Sequence, residues 1–166
     1  MNFKEFAELV PWLVTEKIDD ASPPIPLIGG TVHEETPAWS FRTGSVLTLA
    51  TIFPKTNELR LTSGLAINIL YAPELSHYVN HLNEKQLVFG RAFLVTNNDP
   101  ERAAVLMQEI VFGDSLSWDF PPSIQNLLRV IVTLSGQAGH LSSEITARFE
   151  ARPFNDAEVA LLLASC

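Results

Sequence analysis

Two segments of this chain alternate like β-strands but are apolar on both faces, and this restricts the possible folds more than any other feature. In the segment from Leu87 to Val95, the apolar residues on one side of the strand are Leu87, Phe89, Phe93 and Val95. Those on the other side are Val88, Ala92 and Leu94. In the segment from Trp39 to Phe53, the two sets are Leu47, Leu49 and Phe53, and Val46, Ala50 and Ile52. A sheet with one face in water alternates apolar with polar residues. The second face therefore needs a cover, which could be another helix of the chain, a second protomer or a bound peptide.

Turn residues and side-chain preference predict where the strands begin and end. The segment Trp39–Phe53 is interrupted near Thr43–Gly44, which divides it into two strands. Alternation predicts a further strand whose apolar face carries Leu59, Leu61, Leu65, Ile67 and Ile69. The segment Arg102–Phe112 fits either a helix or a strand. We predict a strand, because the turn before it favours a hairpin and its apolar end is rich in residues that prefer extended structure.

Helices are predicted where apolar residues recur every three or four positions. This spacing predicts a helix over Asn2–Glu16 and another that begins at Ala72–Pro73. The strongest periodic pattern begins at Pro121–Pro122 and continues to Phe149. After it, Asn155 and Glu158 have the spacing of a capping box before the short segment VALLLAS.

These elements predict one α+β domain over residues 1–166, a length that can bury a sizeable core. The predicted order is α-β-β-β-α-β-β-α, with about five strands joined by short turns into an antiparallel sheet. The Pro- and Gly-rich stretch Ser22–Gly30 is predicted to be an extended linker within that domain and not a boundary, because the part before it is too short to fold alone.

Net charge and cysteine content restrict the binding partners and the cellular compartment that we expect for this protein. The net charge of −8 and the lack of any Lys/Arg cluster argue against a nucleic-acid partner and against binding to an anionic membrane surface. We do not expect the N-terminal stretch to be a signal peptide, because Glu5 and Glu8 interrupt its apolar residues. No apolar run is long enough to span a membrane. Cys166 is the single cysteine, so no internal disulfide can form, and we expect a cytoplasmic protein.

The sequence offers little for catalysis. His77 and His81 are four residues apart on a predicted helix, a spacing that zinc can use, and Glu74 shares their face. We interpret this face as solvated, because no further ligand is visible. No G-x-S-x-G motif, no Cys–His pair and no phosphate-binding glycine motif is present. We therefore expect no cofactor and no enzymatic activity.

The stretch YAPELSHYVNHLNEKQLVFGRAFLV, together with the element order, resembles the YbjN-like proteins and the type III secretion chaperones that share their fold. The likeness lies in a helix that ends near HLN, a strand that opens with LVFGRAF, and a long final helix. The resemblance implies helices packed on one face of an antiparallel sheet, and a chaperone-like, non-enzymatic module that binds apolar segments of a client protein or peptide. It also implies a possible homodimer. The client contacts predicted on this basis are Leu87, Phe89 and Phe93.

Two alternatives remain open at this point. One is a structural or regulatory homodimerisation domain without a client. The other is a metal-dependent enzyme that uses His77 and His81.

Overall fold

The computed structural model describes residues 38–53, 55–56, 58–96, 99–112 and 122–165. Its strands are β1 (Ala38–Thr43), β2 (Val46–Phe53), β3 (Glu58–Leu70), β4 (Arg91–Thr96) and β5 (Arg102–Phe112). Its α-helices are α1 (Pro73–His81), α2 (Pro122–Arg148) and α3 (Val159–Ala164), with a π-helical turn at Leu82–Gln86 and a 3₁₀ turn at Asp156–Glu158. The predicted helix Asn2–Glu16 and the predicted linker Ser22–Gly30 lie outside the described residues.

The described strands form one antiparallel sheet in the order β1-β2-β3-β5-β4. This confirms the predicted α+β class with five antiparallel strands. The segment that fitted either a helix or a strand, Arg102–Phe112, is β5, and it pairs with β3 on one side and β4 on the other. The predicted break between the first two strands is a turn in which Gly44 has a φ of 60°, a left-handed conformation that glycine adopts without strain.

The first face of the sheet packs against α1 and α2 and holds the larger of two apolar clusters. The periodic stripe of α2 supplies buried residues to it: Ile131, Leu134, Ala138, Leu141 and Ile145. Helix α1 contributes the apolar face that the sequence predicts: Leu75, Tyr78 and Val79. Each large apolar side chain buried in this way stabilises the fold by about 1.5–3 kcal/mol.

The second face of the sheet is covered in part by the end of the chain. Phe154 and Leu162 are buried there against Leu47, Leu49 and Leu106. One of the three covers considered from the sequence, a helix of the chain itself, is thus present over part of this face. The prediction that the helices pack on one face is wrong for α3, because its leucines pack against the opposite face from α1 and α2.

Polar contacts fix this C-terminal segment to the sheet. Ile67 and Arg152 form a backbone bridge, in which the Ile67 N–H donates to the Arg152 carbonyl at 2.9 Å and the reverse bond is 3.2 Å. Arg42 of β1 donates to the carbonyl of Phe154 at 2.7 Å and forms an ion pair with Asp156. The segment is therefore held at both its backbone and its side chains.

The predicted capping box is present at the start of the last helical turn. Glu158 accepts a hydrogen bond from the backbone N–H of Asn155 at 2.8 Å. The same carboxylate accepts from the Arg152 guanidinium, with Nη1 and Oε2 3.0 Å apart. This hydrogen bond lowers the pKa of Glu158 below its ordinary value, so the carboxylate stays charged into more acidic solution.

Strand β3 departs from strict alternation. Its register with β5 shifts between Gly64 and Ala66 and again between Ala66 and Ile69. Asn68, within the second irregularity, has a φ of 66°. As a result Ile67 packs against the second cluster while Ile69 belongs to the first. The prediction that Ile67 shares a face with its neighbours is wrong, since such irregularities reverse the side on which a residue points.

We predict that Gly64→Ala destabilises the protein by about 1–3 kcal/mol, the usual cost of overpacking. A Cβ on Gly64 would lie 2.5 Å from the ring of Phe154, which is itself buried against the sheet. The ring would have to leave its site or the strand would have to shift. Urea denaturation followed by circular dichroism measures the change in the free energy of unfolding.

Gly136→Ala is the matched control for this substitution. Gly136 lies in α2, and an added Cβ there meets no atom within 4 Å. Alanine has the higher helix propensity, so this variant should be more stable by up to about 1 kcal/mol. If Gly64→Ala were as stable as the wild type, the packing of Phe154 over the sheet described above would be incorrect.

Candidate functional site at the β4 edge

The segment Leu87–Val95, predicted to be one strand, is divided in the structure. Strand β4 begins at Arg91, and the preceding Gly90 has a φ of 72°. A Cβ at Gly90 would lie 2.7 Å from the carbonyl oxygen of Gln108 in β5, so this close approach also requires glycine. The prediction of a strand that starts at Leu87 is therefore wrong for its first four residues.

Two side-chain amides make hydrogen bonds to the backbone of this segment, in the place of bonds that a neighbouring strand would make. The side chain of Gln137 in α2 accepts from the N–H of Val88 at 3.0 Å and donates to the carbonyl of Phe89 at 2.7 Å. Asn83 accepts from the N–H of Ala92 and donates to its carbonyl, each at 2.8 Å. Each amide thus satisfies one N–H and one C=O of the backbone.

The three predicted client contacts do not share one surface. Leu87 is half-buried and packs against the first cluster, beneath the helices. Phe93 is half-buried and packs against the second cluster. Phe89 is half-buried in the short segment that Gln137 holds. The predicted common face of Leu87 and Phe93 is wrong, because the turn at Gly90 breaks the alternation between them.

Strand β4 is an edge strand, and Asn83 shows which of its backbone groups point outward. In an antiparallel strand the N–H and C=O of one residue point to the same side, and the side alternates along the chain. Both groups of Ala92 point away from β5, towards Asn83. The pairing with β5 is regular from Arg91 to Thr96, so the groups of Leu94 and the N–H of Thr96 also point outward. No residue in the described ranges provides a partner for the outward groups of Leu94.

A groove of about 430 Å³ runs along this edge. Helix α1 and the π-helical turn line one side of it with Ser76, Val79, Asn80 and Asn83, and the other side is Arg91–Leu94. Its walls therefore mix apolar side chains with amides. A groove of this composition beside unsatisfied backbone groups can accommodate an extended peptide whose side chains alternate in direction.

One titratable group beside this site is perturbed. Burial raises the pKa of Glu109 in β5 above its ordinary value, and the hydrogen bond from the backbone N–H of Gly90 acts in the opposite direction. The carboxylate thus lies next to the turn that begins β4. Burial therefore disfavours the charged form of this carboxyl.

The histidine pair lies elsewhere on α1. His77 and His81 are exposed and line a separate cavity with Glu74, Tyr78 and Arg148. In the part of the chain that the structure describes, no three His, Cys, Asp or Glu side chains come together as metal ligands would. His33 and Cys166 lie outside that part.

The sequence gives no signal for Asn83, which limits the free edge of β4, or for Gln137, which holds the segment before β4. The role of a side-chain amide depends on which backbone it meets. Gln137 meets a segment distant from it in the chain, and Asn83 meets Ala92 beyond the turn at Gly90. A polar residue near a predicted strand is common, so composition alone does not distinguish them.

Comparison with known proteins does not assign a function to this chain. Neither a protein-family model nor a curated protein sequence matches this chain. Among the described residues, no helix has the length and apolar character needed to cross a membrane.

We predict that Glu109→Gln makes the protein more stable than the wild type at neutral pH, and that the difference shrinks in acid. A carboxyl with a raised folded-state pKa binds more protons when folded, so its contribution to stability is lost as the pH rises through that pKa. Thermal denaturation across this range measures the difference. Glu84→Gln, at an exposed position of the π-helical turn, is the control and should leave the profile unchanged.

Proposed function

We propose that this protein is a non-enzymatic, chaperone-like module that binds an extended segment of a client protein by strand addition at the β4 edge. The observation that carries the proposal is the set of outward backbone groups of Leu94 and Thr96, beside a groove. An added strand would satisfy these groups and extend the sheet by one strand. Backbone hydrogen bonds then give affinity, and the pockets on either side give specificity.

The side chains on the two sides of the β4 edge favour a client segment whose apolar residues occur at alternate positions. Towards the helices, a client residue would meet the groove between Val79 and Leu94. Towards the second face, it would meet Phe93 and Val95, both half-buried and packed against the second cluster. We therefore expect clients with apolar residues at alternate positions. Phe93 is the one predicted contact that we retain on the binding strand itself.

The hydrogen bonds that the β4 backbone already makes limit where the client strand can begin. Because Asn83 already bonds to Ala92, a client cannot pair with that residue without displacing the amide. The accessible part of the edge therefore starts after Ala92. A short pairing of this kind gives modest affinity, since each neutral hydrogen bond contributes only about 0.5–1.5 kcal/mol.

The resemblance to YbjN-like proteins and type III secretion chaperones, the net charge of −8 and the single cysteine support the same proposal. A strongly acidic chain repels nucleic acid and anionic membranes and favours apolar or basic clients. We propose a cytoplasmic location on the same grounds. A homodimer is the second candidate, because the free edge of β4 can pair with the same edge of another copy.

We predict that Thr96→Pro weakens peptide binding by about tenfold, the factor that corresponds to about 1.4 kcal/mol. Proline removes the outward N–H at an exposed edge position and adds a ring that obstructs an incoming strand, yet it takes no hydrogen bond from the pairing with β5. Peptides are first selected from a displayed random library on the wild-type protein. Fluorescence anisotropy with one selected peptide then measures the dissociation constant of each variant.

Thr96→Val is the control, because it changes the same side chain and keeps the N–H. It should bind the peptide within about twofold of the wild type, well below the loss of one hydrogen bond. Equal binding by the proline and valine variants would refute strand addition at this edge. If no peptide is selected and Thr96→Pro instead dissociates a dimer in analytical ultracentrifugation, the homodimerisation function replaces the client-binding one.

A further inference from the structure

An expected ion pair is missing between Glu144 and Arg148 of α2. These residues have the four-residue spacing and the order at which Glu and Arg pair on a helix. Instead the Tyr78 hydroxyl donates to Oε1 of Glu144 at 2.8 Å, and the Arg148 guanidinium lies over the Tyr78 ring, 4.8 Å from its centroid. In the described ranges no carboxylate oxygen lies within 4.0 Å of that guanidinium.

Tyr78 maintains this arrangement. Its side chain is 5 % exposed, and burial is the main cause that raises the pKa of its hydroxyl, followed by the hydrogen bond to Glu144. The hydroxyl therefore stays protonated and keeps donating to Glu144. One carboxylate oxygen of Glu144 is engaged in this way, while the ring of Tyr78 supports the guanidinium by a cation–π contact.

Arg148 contributes to a cavity of about 410 Å³ between α1 and α2, which is lined by Glu74, His77, Tyr78, His81 and Arg148. His77 and His81 lie on one face of α1, one turn apart. No group of three His, Cys, Asp or Glu side chains forms in the described residues, and we consider the two imidazoles here as hydrogen-bonding groups. Protonated imidazoles are hydrogen-bond donors, as is the guanidinium.

We propose that this cavity binds a tetrahedral oxyanion, namely a phosphate group. A guanidinium binds two oxygens of such an ion with its planar fork, and two imidazoles from the other helix can donate to the remaining oxygens. A carboxylate has only two oxygens, whereas the additional oxygens of a tetrahedral ion can accept from donors on both helices at once. The site lies on helices α1 and α2 and is independent of the client-binding edge.

The charges that face the cavity predict stronger binding in mildly acidic solution. The charged and titratable groups that line it are Glu74, His77 and His81 on α1 and Arg148 on α2. Glu144 adjoins it through its hydrogen bond with Tyr78, and His140 lies 4.0 Å from Glu144. With neutral histidines, the two carboxylates Glu74 and Glu144 outweigh the single positive charge of Arg148, so an anion gains little. A protonated imidazole adds a positive charge to the cavity and a neutral one does not, so anion binding should depend on pH.

Titration with sulfate tests the site, because sulfate is tetrahedral and keeps its charge across this pH range. The side-chain NMR signals of His77 and His81 should shift with one common dissociation constant, and binding should weaken as the solution is made alkaline. Arg148→Met should weaken it by about tenfold, as expected for loss of a charge-assisted hydrogen bond. Arg129→Met removes an exposed arginine elsewhere on α2 and should leave binding unchanged.

Glu74→Gln tests for an increase in sulfate affinity, which misfolding of the variant would not produce. Removing the opposing carboxylate should tighten sulfate binding. If Arg148→Met binds sulfate as the wild type does, or if Glu74→Gln does not bind more tightly, the proposal is wrong. Circular dichroism spectra of all variants establish that each remains folded.

Inorganic phosphate and O-phosphoserine, compared at one acidic pH, identify the source of the phosphate group. Tighter binding of phosphoserine would support the site and would indicate that the cavity also contacts the group that carries the phosphate. Equal binding would support recognition of the ion itself. If neither binds, the proposed site is refuted.

Discussion

Both faces of the central strands are apolar, and the rest of the structure depends on covering them. Helices α1 and α2 cover the first face, while Phe154 and Leu162 cover part of the second. The long helix can serve only one face, so a separate segment has to reach the other. The bridge between Ile67 and Arg152 and the contacts of Arg42 bring the end of the chain to that position.

This coverage moves the proposed client site from the faces of the sheet to its edge. A face packed by the chain's own side chains is available to a client only at the cost of unpacking them, whereas outward backbone groups of β4 need no rearrangement. Asn83 divides the edge into a part that is already satisfied and a part that is not. The same helix α1 presents two different surfaces, the groove beside β4 and the cavity around Arg148.

Much of the fold could be predicted from the sequence, and two of the errors have a common cause. The strand Arg102–Phe112, the start of α1 and the extent of α2 were predictable, because each depends on residues close together in the chain. The predicted face of Ile67 and the common face of Leu87 and Phe93 were wrong. Alternation predicts a face only while pairing is regular, and a register shift or a left-handed glycine reverses it.

The sequence by itself determined that a sheet with two apolar faces would form, and that a long amphipathic helix would pack on it. These properties follow from local spacing and the hydrophobic effect, which do not depend on the path of the chain. Only the tertiary structure decided that α3 covers the second face, that Asn83 satisfies part of the β4 edge, and that Tyr78 separates Glu144 from Arg148. The first and the last join residues far apart in sequence, and the Asn83 contact depends on how the chain turns at Gly90, so local spacing predicts none of them.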